Sequence, residues 1–175
     1  MFDDALTLWA WYKLFLSSYG DSSFSWEKKY DQKDIPFAIR ILENPAYRFI
    51  VWSWELFPWR TTLRHHDMLH VLLNRKAHLV DEAVVIGMTM WSTKKMTPRQ
   101  TAWFIRMTNL LAPQQYHYNK VDAEVFKASV NYAHEHIDVD LSILPFDLYL
   151  DQALGSLRKL YRLESVADFY AALGV

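Results

Sequence analysis

The sequence predicts an all-α protein: a single compact domain over residues 1–175, built from about seven to nine helices. Three observations lead there. Apolar residues recur at helical spacing along most of the chain. Only 4 Gly are present, and strand-turn pairs such as Asn-Gly or Asp-Gly are few, so tight hairpins lack their turn chemistry. Composition is globular, with 51% apolar and 22% charged residues in a length that suits one core.

The elements follow in order. A first helix is expected over about 3–18, with Asp3 and Asp4 near its positive end. Gly20 and the polar run to Asp34 read as a loop. Pro36 or Pro45 opens further helical pieces, one of them about 46–57, stopped by Pro58. A helix over about 60–75 has Thr61 or Thr62 as its cap, and Asn74-Arg75-Lys76 breaks it before the next, about 79–92. Thr97-Pro98-Arg99-Gln100 combines a Thr cap, Pro at the first helical position and Gln three after the cap, and the helix it starts runs to about 111. Asn119 caps a helix to about 136 whose apolar stripe is Val121, Val125, Ala128 and Tyr132. Two last helices are expected, about 146–161 and 165–173. Internal repeats, low-complexity segments and flexible linkers are not evident.

Composition also removes function classes. A formal net charge of −1 leaves no basic footprint for nucleic acid. Without Cys there is no disulfide framework, thiolate metal site or thiol nucleophile, so any metal must be held by His and carboxylate. No apolar run is long enough to span a bilayer, and the N-terminus lacks a signal-peptide pattern. The expectation is a cytoplasmic protein, at most at a membrane surface. The aromatic load of 8 Trp, 10 Tyr and 10 Phe suits a core, an apolar ligand groove or a membrane interface.

The chemistry concentrates in His66-Asp67-Met68-Leu69-His70, followed by Glu82. Residues four apart share a helix face, and Asp67, about 60° round from His70, borders that face as a third ligand candidate. A turn that brings the next helix back antiparallel would add Glu82 as a fourth ligand. Neutral imidazole suits Zn, Fe, Ni or Cu, and added carboxylate extends the choice toward Mn or Mg. The plainer alternative is two ordinary helix histidines, one partly buried and one exposed. Two enzyme templates fail. Zinc proteases need Glu directly after the first His, where this chain has Asp67. Phosphohydrolases built on a His-Asp pair need a His upstream, and none precedes His65.

The string His66-Asp67-x-x-His70, then eleven residues, then Glu82, resembles the signature of the ubiquinone (coenzyme Q) biosynthesis protein 4 family. The surrounding HDMLHVLLNRKAHLVDEAVVIGMTMW looks like that family's two central helices; the likeness covers about 60–92, with a fainter trace around Leu154 to Arg162. The resemblance implies an all-α fold with a metal, usually zinc, held by His66, Asp67, His70 and Glu82 between those two helices. It also implies an isoprenoid or quinone-like lipid in an apolar cavity, with a role in organising quinone biosynthesis or in oxidative removal of the ring carboxylate. A homodimer, association with other biosynthetic proteins and peripheral membrane contact come with it. The chain departs from the family in being shorter and in carrying Asp81 where a small residue is usual before the Glu.

His65 and Asp81 are candidates for hydrogen bonding behind the ligands. Trp52, Trp54, Trp59 and Trp91 are candidates for the lipid cavity wall, with packing as the default role of such rings. The apolar residues of the first helix, Leu8, Trp9, Trp11, Tyr12, Phe15 and Leu16, nearly encircle it and read as core or oligomer contact. The ligand-rich His134–Asp140 string reads as a solvated helix end, and Lys94, Lys95, Arg99 and Arg106 as a solvated basic face. The alternative function is a non-catalytic lipid-binding or scaffolding protein with a structural metal. A metal hydrolase of another lineage is a third reading.

Overall fold

The computed structural model describes residues 3–18, 61–76, 78–111, 114 and 117–174. Among them lie seven α-helices and no strand: α1 (Leu8–Ser17), α2 (Leu63–Leu72), α3 (Leu79–Ser92), α4 (Pro98–Leu111), α5 (Lys120–His136), α6 (Leu154–Leu160) and α7 (Val166–Leu173). The all-α reading therefore holds. The expected loop over 20–34, the helix over 46–57, and Trp52, Trp54 and Trp59 lie outside the described residues.

Local chemistry sets the helix ends. Thr62, rather than Thr61, caps α2, its hydroxyl accepting from the His65 amide. Thr97 and Gln100 form the expected reciprocal cap: the Thr97 amide donates to Gln100 Oε1 at 2.8 Å, and the Gln100 amide donates to Thr97 Oγ1 at 3.3 Å. Asn119 and Asp122 make a second such pair before α5. At its other end, α5 receives the Lys94 ammonium, which donates to the Ala133 and His134 carbonyls. Lys94 is thus spent on a helix C-terminus, where a cation is favourable.

Three expectations are corrected. The N-terminal helix begins at Leu8, because Asp3–Leu6 form a turn and Asp4 pairs with Arg158 of α6. Residues 146–161 are not one helix. A 3₁₀ turn (Phe146–Leu148) gives way to a run of turns before α6, and that segment bonds the N-terminus: Leu8 and Trp9 amides donate to the Gln152 and Leu150 carbonyls, and the Leu154 amide to Leu6. Tertiary pairing has overridden helical spacing. In α5 the inward face is Asp122, Val125, Phe126, Ser129, Val130 and Ala133, while Val121 is 63% exposed.

The reason for that rotation is close packing of α5 on α3 at Gly87. A Cβ built there would lie 2.9 Å from the Phe126 carbonyl oxygen and 3.1 Å from Ser129 Cβ. Small residues at both positions bring the backbones together, so the face carrying Ser129 must turn inward. One apolar cluster joins α1, α2, α3, α5, α6 and α7 through Tyr12, Leu69, Met88, Ala133, Leu154 and Tyr170. A second joins α3, α4 and α5 through Ala83, Met90, Phe104 and Phe126. Among the described residues, no helix is long and apolar enough to cross a membrane.

Candidate metal centre

His66 and His70 stand one turn apart on α2, and Glu82 lies in the first turn of α3. The two helices meet so that three donor atoms converge. His66 Nε2 lies 2.9 Å from Glu82 Oε2, His70 Nε2 3.2 Å from Glu82 Oε1, and the two Nε2 atoms 3.1 Å apart. Among the described residues this is the one group of three His, Asp or Glu donors so close together.

The spacing tests whether a metal fits. Donors about 2.0–2.1 Å from a tetrahedral ion lie roughly 3.3 Å from one another, and neighbouring donors of an octahedral ion roughly 2.9 Å. The observed separations fall across that range. Two imidazoles and one carboxylate are also a donor set that zinc enzymes use with one position left for water or substrate.

The electrostatics favour an ionised carboxylate. Burial alone would raise the Glu82 carboxyl, but the charges of His70 and His66 and their hydrogen bonds outweigh it and hold it well below the usual carboxylate range. His70 is fully buried, with its ring stacked 5.5 Å from Phe15 of α1. Its Nδ1 donates to the Lys76 carbonyl at 2.7 Å, which turns Nε2 toward His66 and Glu82.

The other sequence candidates are placed as follows. Asp67 is 4% exposed and is not one of the three converging donors. His65 turns away from them, donating from Nε2 to the Leu141 carbonyl at 2.7 Å and packing 4.7 Å from the Phe146 ring. Burial lowers its pKa, the Leu141 carbonyl partly offsets this, and the neighbouring His66 lowers it further. Asp81 is engaged in a buried ion pair with Arg75, 3.1 Å. Trp91 donates its indole N–H to Thr101 at 2.9 Å and meets the His134 ring edge-on. The His134–Asp140 string forms no cluster: His136 lies 3.7 Å from Glu135, and Asp138 3.9 Å from Arg162, all exposed.

No family model, curated protein or solved structure matches this chain. The site therefore stands on its own geometry. That geometry includes two residues sequence reasoning passed over. Arg75 looked like loop polarity, since nothing in periodicity links it to Asp81. Tyr118 was not singled out either; its hydroxyl is buried with no hydrogen-bond partner among the described residues, and its ring belongs to the apolar cluster that includes Ala83 and Ile86. Burial raises the Tyr118 pKa, and the charges of Glu82 and Asp122 raise it further.

A cleft of about 530 Å³ lies elsewhere, against Trp11, Leu72, Leu73, Arg158, Leu163 and Tyr170. Neither the three donors nor Trp91 line it.

Proposed function

We propose that this chain binds one divalent metal ion, zinc by expectation, at His66, His70 and Glu82, and handles an isoprenoid or quinone-precursor lipid. The convergence of three donor atoms within 4.8 Å of one another carries the metal reading. The lipid rests on the resemblance of His66-Asp67-x-x-His70 and Glu82 to the coenzyme Q biosynthesis protein 4 signature. When bound, the metal would supply Lewis acidity toward a carboxylate or phenolate oxygen of the substrate. The chain's own residues hold the donors: Lys76 orients His70, and His66 with His70 keeps Glu82 ionised.

A three-donor set leaves room for a substrate oxygen, which favours an enzyme, with oxidative removal of the ring carboxylate as the reaction the resemblance suggests. Asp67 is the residue that would change this reading. If it closes the coordination as a fourth donor, the metal is structural and the protein a lipid-binding or scaffolding partner in a biosynthetic complex or homodimer, at the membrane surface or in the cytoplasm.

Native mass spectrometry of protein purified without added metal reads metal stoichiometry, copurified lipid and oligomeric state together. The expected result is about one metal per chain, lost in His70→Ala. Full occupancy in that variant, or no uptake by the parent chain, would sink the assignment. Loss of metal in Asp67→Asn as complete as in His70→Ala would select the four-donor, structural reading.

A further inference from the structure

The two ligand-bearing helices are tied together by an ion pair one residue away from each half of the site. Arg75 precedes Lys76, whose carbonyl accepts from His70 Nδ1; Asp81 precedes Glu82. Arg75 Nη1 meets Asp81 Oδ1 at 3.1 Å, with side chains only 11% and 10% exposed. We propose that the Arg75–Asp81 pair is a positioning clamp that fixes the His70 tautomer and the His70–Glu82 spacing, and so sets the affinity of the metal centre; this rests on the metal reading above.

Three further contacts leave the clamp little freedom. The Arg75 guanidinium lies 3.4 Å above the Tyr170 ring of α7, a cation–π contact that fixes its plane. The Arg75 amide donates to the His70 carbonyl at 2.7 Å, and Asn74 takes the left-handed backbone (φ 58°) that this helix end requires. Behind it, Arg158 donates to the Leu72 and Val71 carbonyls, at 2.9 and 3.1 Å, closing the end of α2. The backbone leading into Lys76 is therefore held on the α2 side of the turn. A neutral imidazole carries one proton. Kept on Nδ1 by that carbonyl, it leaves Nε2 free as the donor atom. Released, it can move to Nε2 and block coordination.

The test uses the 175-residue chain with Arg75→Met and Asp81→Asn. Arg75→Met alone strands a buried carboxylate, so the double variant R75M/D81N, which leaves no unpaired charge, is the decisive one. Two quantities are read: zinc affinity by competition with a chromophoric chelator, and the His70 ring-nitrogen tautomer by ¹⁵N NMR of metal-free protein at a pH at which the imidazoles are neutral. The parent should show Nδ1–H alone. The double variant, with helical circular dichroism retained, should show both tautomers and bind zinc about 10- to 100-fold more weakly, the usual effect of losing an outer hydrogen-bond partner. Either readout staying at the parent value overturns the clamp. If the parent takes up no zinc, the metal reading falls by itself, and the tautomer comparison alone then decides whether the clamp exists.

Discussion

Gly87→Ala tests the packing that brings α3, and with it Glu82, to its place. The added Cβ would sit 2.9 Å from the Phe126 carbonyl oxygen and 3.1 Å from Ser129 Cβ. Ordinary contact begins near 3.4 Å, so the helices must separate by about half an ångström. The obstructing atom belongs to the α5 backbone and cannot rotate away. Phe126 and Ser129 are both fully buried, and the Ser129 hydroxyl is already engaged with the Val125 carbonyl at 2.8 Å. Overpacking of this kind costs about 1–3 kcal/mol. Replacing Gly by Ala inside a helix returns about 1 kcal/mol. The net expectation is a loss of about 1 kcal/mol, which lowers Tm by about 2–4 °C in a chain of this size. Thermal melts followed by circular dichroism at 222 nm measure it. Here the sign decides: a Tm raised by a few degrees, as helix propensity alone predicts, would refute the close-approach account of α3 and α5.

Two further expectations concern stability. Asn119→Ala removes the side chain that accepts from the Val121 and Asp122 amides, so α5 should lose about 1 kcal/mol, seen as a lower denaturant midpoint at constant slope; an unchanged midpoint would contradict the capping assignment. Burial raises the Tyr118 and Tyr170 phenols above the ordinary tyrosine value of about 10. Above that pH the unfolded chain binds fewer protons than the folded one, so the stability these phenols contribute is complete below about pH 10 and is lost as pH rises beyond it. A titration at 295 nm should show exposed tyrosines ionising first and the buried ones only with loss of helical signal. Complete tyrosine ionisation in a still-folded protein would refute it.

Much of the helix plan was legible because it is written in local chemistry. Thr97 with Gln100 and Asn119 with Asp122 satisfy amides within one turn, so their bonds depend on neighbours in sequence. His66 and His70 share a face for the same reason. The 146–161 segment was misread because Leu150 and Gln152 give their carbonyls to Trp9 and Leu8, partners more than a hundred residues away that leave no periodic trace. Val121 was misplaced inward because the inward face of α5 is set by Gly87 on another helix.

By itself, then, the sequence determined the all-α class, the capped helix starts, and the pairing of two imidazoles by helical geometry. Only the tertiary structure decided that Glu82 joins them, that Asp67 stands outside the converging three, and that Asp81 answers Arg75. The physical reason is range. Caps and i, i+4 faces are fixed by one turn of backbone, whereas the meeting of α2 with α3 depends on how side chains from several helices fill the same space.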